Sequence, residues 1–132
     1  MNTKILILLL CSITLGFTTN TNENDEYTYL LTISSTTDQI ENFNLKIISK
    51  TTHNSKSKET LLENIKTPFE KKLDVGSYEI IILTNKPDNS IKGVVSVMLN
   101  GEKWGWSQNY NKESKLIKLH AGPNGETGTV TD

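Results

Sequence analysis

Two tryptophans separated by a single residue are the feature of this sequence whose type and spacing most directly suggest ligand chemistry. Trp104 and Trp106 lie in the run EKWGWSQNY. In a β-strand, residues two apart project from the same face about 7 Å from each other, which is the geometry of an aromatic platform for a sugar ring or another flat ligand. Tyr110, at the end of the same run, completes the candidate ligand-binding set.

The neighbours of the two tryptophans favour a different interpretation. Lys103, Gly105 and Ser107 are polar or small, and a regular strand would place them together on the opposite face. Large apolar side chains are usually buried and charged ones exposed. The simplest assignment therefore packs both indoles in the core and turns the polar set to water, and a ligand platform is the alternative.

No set of residues with the spacing of a catalytic or metal site stands out. His53 and His120 have no third ligand at a recognisable spacing, so no zinc site is predicted. The sequence has no Gly-x-Ser-x-Gly motif, and its one cysteine, Cys11, lies near the N-terminus. The acidic residues are scattered singly and define no carboxylate pair. We therefore predict a protein that is not an enzyme and that uses no cofactor or metal.

The charge of the chain excludes one large class of partner. The formal net charge is −1, and all 14 basic residues are lysine. A near-neutral chain lacks the electrostatic attraction that drives nucleic-acid binding, and without arginine it cannot read bases or phosphates with a bidentate fork. We therefore predict no nucleic-acid partner.

The N-terminal residues have the pattern of an export signal. Residues 1–19 contain one lysine, a short apolar run and then small and polar residues, which is typical of a cleavable signal peptide. The apolar run is shorter than the roughly 20 residues of a membrane-spanning helix. We expect a secreted or periplasmic protein with no transmembrane segment after cleavage. A lipoprotein acylated at Cys11 is the less favoured alternative, because Leu10 is large where such cleavage sites need a small residue.

The clearest strand signal surrounds Asn100-Gly101, which stands between VVSVML and EKWGW. A two-residue type I′ turn needs positive φ at both central positions, and Asn and Gly tolerate it best. Residues 91–99 and 102–108 are therefore predicted to pair antiparallel. A strand and tight turn at residues 68–76 precede the run SYEIIILT, which is apolar on both faces and so predicts a central strand.

Shorter patterns complete the strand prediction. Alternating apolar residues predict strands in YTYLLTISS, in FNLKIIS and around residues 116–119. Residues 51–60 contain no apolar side chain and are predicted to form an exposed loop, whereas residues 61–65 fit either a helical turn or a strand. Gly93 inside a strand run predicts a bulge or a close backbone approach.

Taken together, these patterns predict an all-β protein with one antiparallel β-sandwich of about seven strands, of the immunoglobulin-like or transthyretin-like kind. The predicted sandwich spans residues 27–120. It follows a flexible segment at residues 20–26 and precedes a flexible tail at residues 121–132, where apolar content is low.

The central stretch resembles two kinds of small bacterial envelope domain. The run TPFEKKLDVGSYEIII, with Thr-Pro before an apolar residue and Gly-x-Tyr opening the next strand, resembles the strand-turn-strand unit of surface β-domains of the PEGA and carboxypeptidase-regulatory type. Over residues 67–108, the order of strands and the Asn-Gly hairpin are also similar to the MmpS family of periplasmic accessory subunits of mycobacterial lipid exporters. The first resemblance implies a non-catalytic domain. Both imply the fold, and neither transfers a functional residue.

Export, a strand-rich fold and the absence of a catalytic pattern together favour one class of function. We expect an exported, non-enzymatic β-sandwich that binds another protein or a component of the cell envelope through loops or an edge strand. The alternative is a small-ligand or glycan binder that uses an aromatic platform at Trp104 and Trp106.

The export prediction can be tested by the mass of the secreted protein. Cells that express the full chain should release a mature form that begins between about residue 17 and residue 23, because the small and polar residues of that stretch suit signal cleavage. Intact-mass measurement of the exported protein checks this. A chain that begins at an acylated Cys11 would establish the lipoprotein instead, and cytoplasmic retention with Met1 in place would contradict export.

Overall fold

The computed structural model describes residues 26–50 and 56–130, and every helix or strand assigned in them is a β-strand. The predicted signal peptide, Cys11 and His53 lie outside the described residues. The strands are β1 (Tyr27–Ser35), β2 (Asn42–Lys50), β3 (Ser57–Lys66), β4 (Phe69–Leu73), β5 (Ser77–Thr84), β6 (Ile91–Leu99), β7 (Glu102–Tyr110), β8 (Leu116–Ala121) and β9 (Thr127–Thr129).

Two antiparallel sheets pack face to face. The four-stranded sheet has the order β4-β1-β6-β7, and the five-stranded sheet has the order β3-β2-β5-β8-β9. Every pairing within these sheets is antiparallel. The predicted all-β sandwich is therefore confirmed, and the described residues contribute nine strands where the sequence indicated about seven.

The additional strands come from two segments with weak sequence signals. Residues 57–66 form the edge strand β3, so residues 57–60 are not part of a loop and residues 61–65 are a strand and not a helical turn. In the segment predicted as a flexible tail, residues 127–129 form β9 and pair with β8. Strands β3 and β9 are the two edge strands of the five-stranded sheet. One side of an edge strand faces water, so its sequence needs little apolar patterning.

The core lies between the sheets and is built from alternate residues of the strands, as the period of two in a β-strand requires. Gly93 also faces this core. A Cβ atom at that position would lie 2.6 Å from Cδ1 of Ile82, so the side chain from the opposite sheet occupies the space that a larger residue would need. The predicted close approach at Gly93 is confirmed. The buried apolar residues are Tyr29, Leu31, Ile33, Phe43, Leu45, Ile47, Leu73, Ile80, Ile82, Ile91, Val95, Val97, Leu99, Ile117, Leu119 and Ala121.

The run from β4 to β7 forms the four consecutive strands that the sequence predicts. Strand β5 lies in the middle of the five-stranded sheet, between β2 and β8, which confirms its central position. Residues 74–76 carry the chain from one sheet to the other, because β4 pairs with β1 while β5 pairs with β2 and β8.

The β6–β7 hairpin turns at Asn100 and Gly101, and its strands pair antiparallel as predicted. The φ angles are 52° at Asn100 and 81° at Gly101, so both central residues are in the left-handed region that a type I′ turn requires. This turn fixes Leu99 opposite Glu102, and thereby the starting register of the edge strand β7.

Replacing Gly101 with valine should destabilise the whole domain. No other atom of the part of the chain that the structure describes lies within 4 Å of a Cβ placed on Gly101, so the cost is conformational: a β-branched residue at positive φ costs about 1 to 3 kcal/mol. A loss of 1 kcal/mol lowers the melting temperature of a small domain by about 4 to 8 °C. Thermal unfolding of the variant measures this shift.

The matched control is Lys86→Val, which places the same side chain at an exposed position in the β5–β6 loop and should change the melting temperature little. If Gly101→Val melts at the temperature of the parent protein, the turn is not of type I′ and the described hairpin is wrong.

Candidate functional site on the outer face of strand β7

A β-bulge near the start of β7 sets the direction of its aromatic side chains. Leu99 pairs with Glu102 and Met98 with Lys103, but Val97 pairs with Gly105, so Trp104 is the extra residue. Without that extra residue, the register set by the turn would place Trp104 opposite Val97. A bulge opposes two residues to one and reverses the facing of every residue beyond it.

The bulge turns the indoles away from the core. Trp106 pairs with Ser96 on the outer face, whereas Gly105 pairs with the buried Val97. Trp104 is 66% exposed and Trp106 is 60% exposed. The expectation that both indoles pack in the core is therefore wrong, because the regular alternation on which it depends is interrupted at Trp104.

The three candidate residues all lie on β7. Tyr110 pairs with Lys92 and has the same facing as Trp106, because four residues separate them in a strand with a period of two. We call Trp104, Trp106 and Tyr110 the aromatic strip. Among the strands that the structure describes, β7 is at the edge of its sheet, so none of them covers the far side of the strip within that sheet.

The sheet beside the aromatic strip is partly apolar. Leu30, Val94 and Met98 occupy outer positions on the two neighbouring strands and are half-buried. Ser96 is only 2% exposed although it lies on the outer face, so the side chains around it cover it, with Trp106 as its cross-strand partner. The strip therefore borders the covered Ser96 and several half-buried apolar side chains.

Lys103 packs on one of the indoles. Its Nζ atom lies 5.0 Å from the ring centroid of Trp106, a cation–π contact that restrains the ring. Both residues lie on the outer face, because Lys103 pairs with the outward-facing Met98. At this exposure such a contact stabilises by about 0.5 to 1 kcal/mol.

The far end of the strip is anchored by a buried asparagine. Asn111 is fully buried, and its side-chain oxygen accepts a hydrogen bond from the backbone N–H of Ile91 at 2.8 Å. Its side-chain amide donates to the carbonyl of Lys86 at 2.8 Å and to the carboxylate of Asp88 at 3.2 Å. These bonds attach the chain just after Tyr110 to the β5–β6 loop, so Tyr110 has a fixed position at the rim of the sandwich.

The same loop carries a perturbed carboxyl group and a contact to the β1–β2 loop. Hydrogen bonding to Ser90, and to a smaller extent to Asn111, lowers the pKa of Asp88 below its ordinary value. The hydroxyl of Thr36 donates to the carbonyl of Asn89 at 2.6 Å. Three connecting segments are thus joined at the end of the sandwich where the strip ends.

Two clefts flank Tyr110. One, of about 560 Å³, is shallow and polar, and opens toward the outer face of the four-stranded sheet. It is lined by Ser35, Thr36, Asn89, Lys92, Tyr110 and Lys112. The other, of about 490 Å³, lies toward β8 and includes both basic and acidic side chains, among them Lys112 and Glu113.

The other candidate positions that lie within the described residues form no comparable arrangement. His120 is exposed on the outer face of the five-stranded sheet, across from Glu79. Residues 26–50 and 56–130 contain no group of three or more histidine, cysteine or acidic side chains placed to hold a metal ion. Within the same ranges, no helix is long and apolar enough to cross a membrane.

Comparison with protein-family models, with curated proteins and with solved structures finds no match for this chain. The resemblance of residues 67–108 to PEGA-type and MmpS-like domains therefore stays a prediction. The candidate site is defined by its own geometry.

Sequence reasoning included all three aromatic residues but missed Lys92 and Lys112, which reach the strip from different parts of the chain. Gly105 and Ser107 were a sequence signal that the two indoles face outward. Small residues such as these can face a core that the opposite sheet already fills. Ser107 does face inward, where its hydroxyl lies 2.9 Å from that of Thr127 in β9.

Proposed function

We propose that this protein is an exported, non-enzymatic binding module that attaches to a glycan component of the cell envelope through the aromatic strip of β7. The observation that carries the proposal is the exposure of Trp104 and Trp106, two residues apart on the edge strand β7. Burial of an exposed indole against the flat apolar face of a ligand is favourable, and the contact of Trp106 with Lys103 still leaves 60% of that tryptophan exposed.

The surroundings of the strip suit a sugar chain. A pyranose ring presents apolar C–H faces and polar edges, so it needs an aromatic surface with hydrogen-bonding groups beside it. Gln108 lies on the outer face between Trp106 and Tyr110, across from Val94. The strip therefore offers stacking surfaces along the strand and an amide between them.

A protein partner is the second candidate, and the edge strand β3 favours it. This strand has ten residues and little cover, and Leu61 on its outer side is 57% exposed. An exposed edge strand presents unpaired backbone groups to which an extended segment of a partner can add. The resemblance to envelope accessory subunits would agree with either candidate.

The glycan proposal predicts that the indoles matter for binding and not for stability. Trp104→Ala and Trp106→Ala should each weaken binding to isolated cell-wall sacculi or soluble β-glucan by tenfold or more, since an interfacial aromatic anchor contributes about 2 kcal/mol. Because both side chains are exposed, unfolding free energies should change by less than about 1 kcal/mol, against roughly 3 to 5 kcal/mol for a core tryptophan. Sedimentation with sacculi and calorimetric titration measure the binding.

Leu61→Ala is the control, because it removes an exposed apolar side chain from the opposite sheet. It should leave glycan binding unchanged. Glycan binding that survives both tryptophan substitutions would contradict the proposal. Capture of a protein partner that is lost in Leu61→Ala and retained in the tryptophan variants would establish the second candidate.

A further inference from the structure

The cleft between Tyr110 and the β1–β2 loop has an unusual charge composition. Of its six lining residues, two are lysines, none is acidic, and the others offer hydroxyl or amide groups. Lys92 and Lys112 form no ion pair with the part of the chain that the structure describes. Among residues 26–50 and 56–130, no acidic side chain lines this concave surface beside the two ammonium groups, and such a surface attracts an external anion.

The charge of the wider outer face points the same way. The register of the strands places three lysines, Lys72, Lys92 and Lys103, on the outer side of the four-stranded sheet against one carboxylate, Glu70. The chain as a whole carries a net charge of −1. The face that carries the aromatic strip is therefore net positive, although the chain as a whole is not.

The cleft is continuous with the strip. Lys92 is the cross-strand partner of Tyr110, and cross-strand neighbours have Cβ atoms about 5 Å apart. Tyr110 lies four residues beyond Trp106, a separation of about 13 Å along an extended strand. One linear ligand can thus contact the indoles, Gln108 and the lysines in succession.

We propose that Lys92 and Lys112 form an anion subsite, and that the ligand of the aromatic strip is an acidic glycan whose carboxylate or sulfate group occupies this cleft. The inference rests on the proposed function and specifies its ligand class. The indoles stack on sugar rings, and the ammonium groups neutralise the charged substituent. The hydroxyl and amide groups of the cleft hydrogen-bond to the sugar.

The bulge in β7 distinguishes a glycan from an acidic peptide. A peptide that added to this edge would need a continuous ladder of backbone groups, and the unpaired Trp104 interrupts that ladder. The stacking and charged groups lie on the face of the sheet, beside the backbone edge. A glycan is recognised through its sugar rings and their substituents, so it fits this surface better than an extended peptide does.

Matched pairs of glycans test the subsite directly. Polygalacturonate is compared with its methyl ester, and chondroitin sulfate with desulfated, carboxyl-esterified chondroitin, at low ionic strength where surface charge is least screened. The full mature chain should prefer at least one charged member over its neutral counterpart by roughly three- to tenfold, the effect of one or two exposed charge contacts. Calorimetric titration measures the affinities.

The variant Lys92→Gln/Lys112→Gln should lose this preference and bind the charged and the neutral member of each pair with equal affinity. Lys66→Gln, at the end of the edge strand β3 in the other sheet, is the control and should bind like the parent. If the double variant retains the preference, or if the parent binds neither charged glycan, the inference is overturned.

The failure of the subsite and the failure of the proposed function give different results. Equal binding of charged and neutral glycans that is abolished by Trp106→Ala would overturn the anion subsite and leave the glycan module intact. Absence of all glycan binding would overturn both. Binding to phosphatidylglycerol vesicles without binding to any of the glycans would assign the anionic group to a lipid surface, and would also overturn the inference.

Discussion

A single extra residue in β7 is the constraint on which the candidate site depends. The Asn100-Gly101 turn fixes the pairing of Leu99 with Glu102, and a regular ladder from that point would direct both indoles into the sandwich. In that register the indoles would lie opposite Val97 and Val95, which are themselves buried in the core, so large side chains would compete with them for the same space. The bulge at Trp104 resolves this conflict by exchanging the two faces of β7.

The exchange has consequences inside the sandwich as well as outside. The inner face of β7 becomes a row of small or polar residues, including Gly105 and Ser107, so β7 can approach the short strand β9 closely. The hydroxyls of Ser107 and Thr127 lie 2.9 Å apart across this contact. This register places the large indole side chains in water and the small side chains of β7 toward β9. A strand β9 with few apolar residues is therefore sufficient at this edge of the sandwich.

The sequence predicted most of the fold but only part of the site, and the reason is the range of the interactions involved. The Asn-Gly hairpin, the central strand β5 and the close packing at Gly93 follow from local turn chemistry and a period of two. The bulge depends on how residues of different strands share the core volume. A local sequence pattern does not contain that information. Strands β3 and β9 lie at sheet edges, where apolar patterning is weak. Lys92 lies in β6 and Lys112 in the β7–β8 connection, so the tertiary structure, and not a local sequence pattern, places them beside Tyr110.

Intrinsic tryptophan fluorescence tests the outward facing of β7 most directly, because Trp104 and Trp106 are the two tryptophans of the chain. If the bulge directs both indoles to water, the emission maximum of the folded protein should lie close to that of N-acetyltryptophanamide in water, and acrylamide should quench it almost as efficiently. Unfolding in guanidinium should then shift the maximum very little. A blue-shifted emission that resists quenching and moves to the red on unfolding would place the indoles in the core and contradict this account of the site.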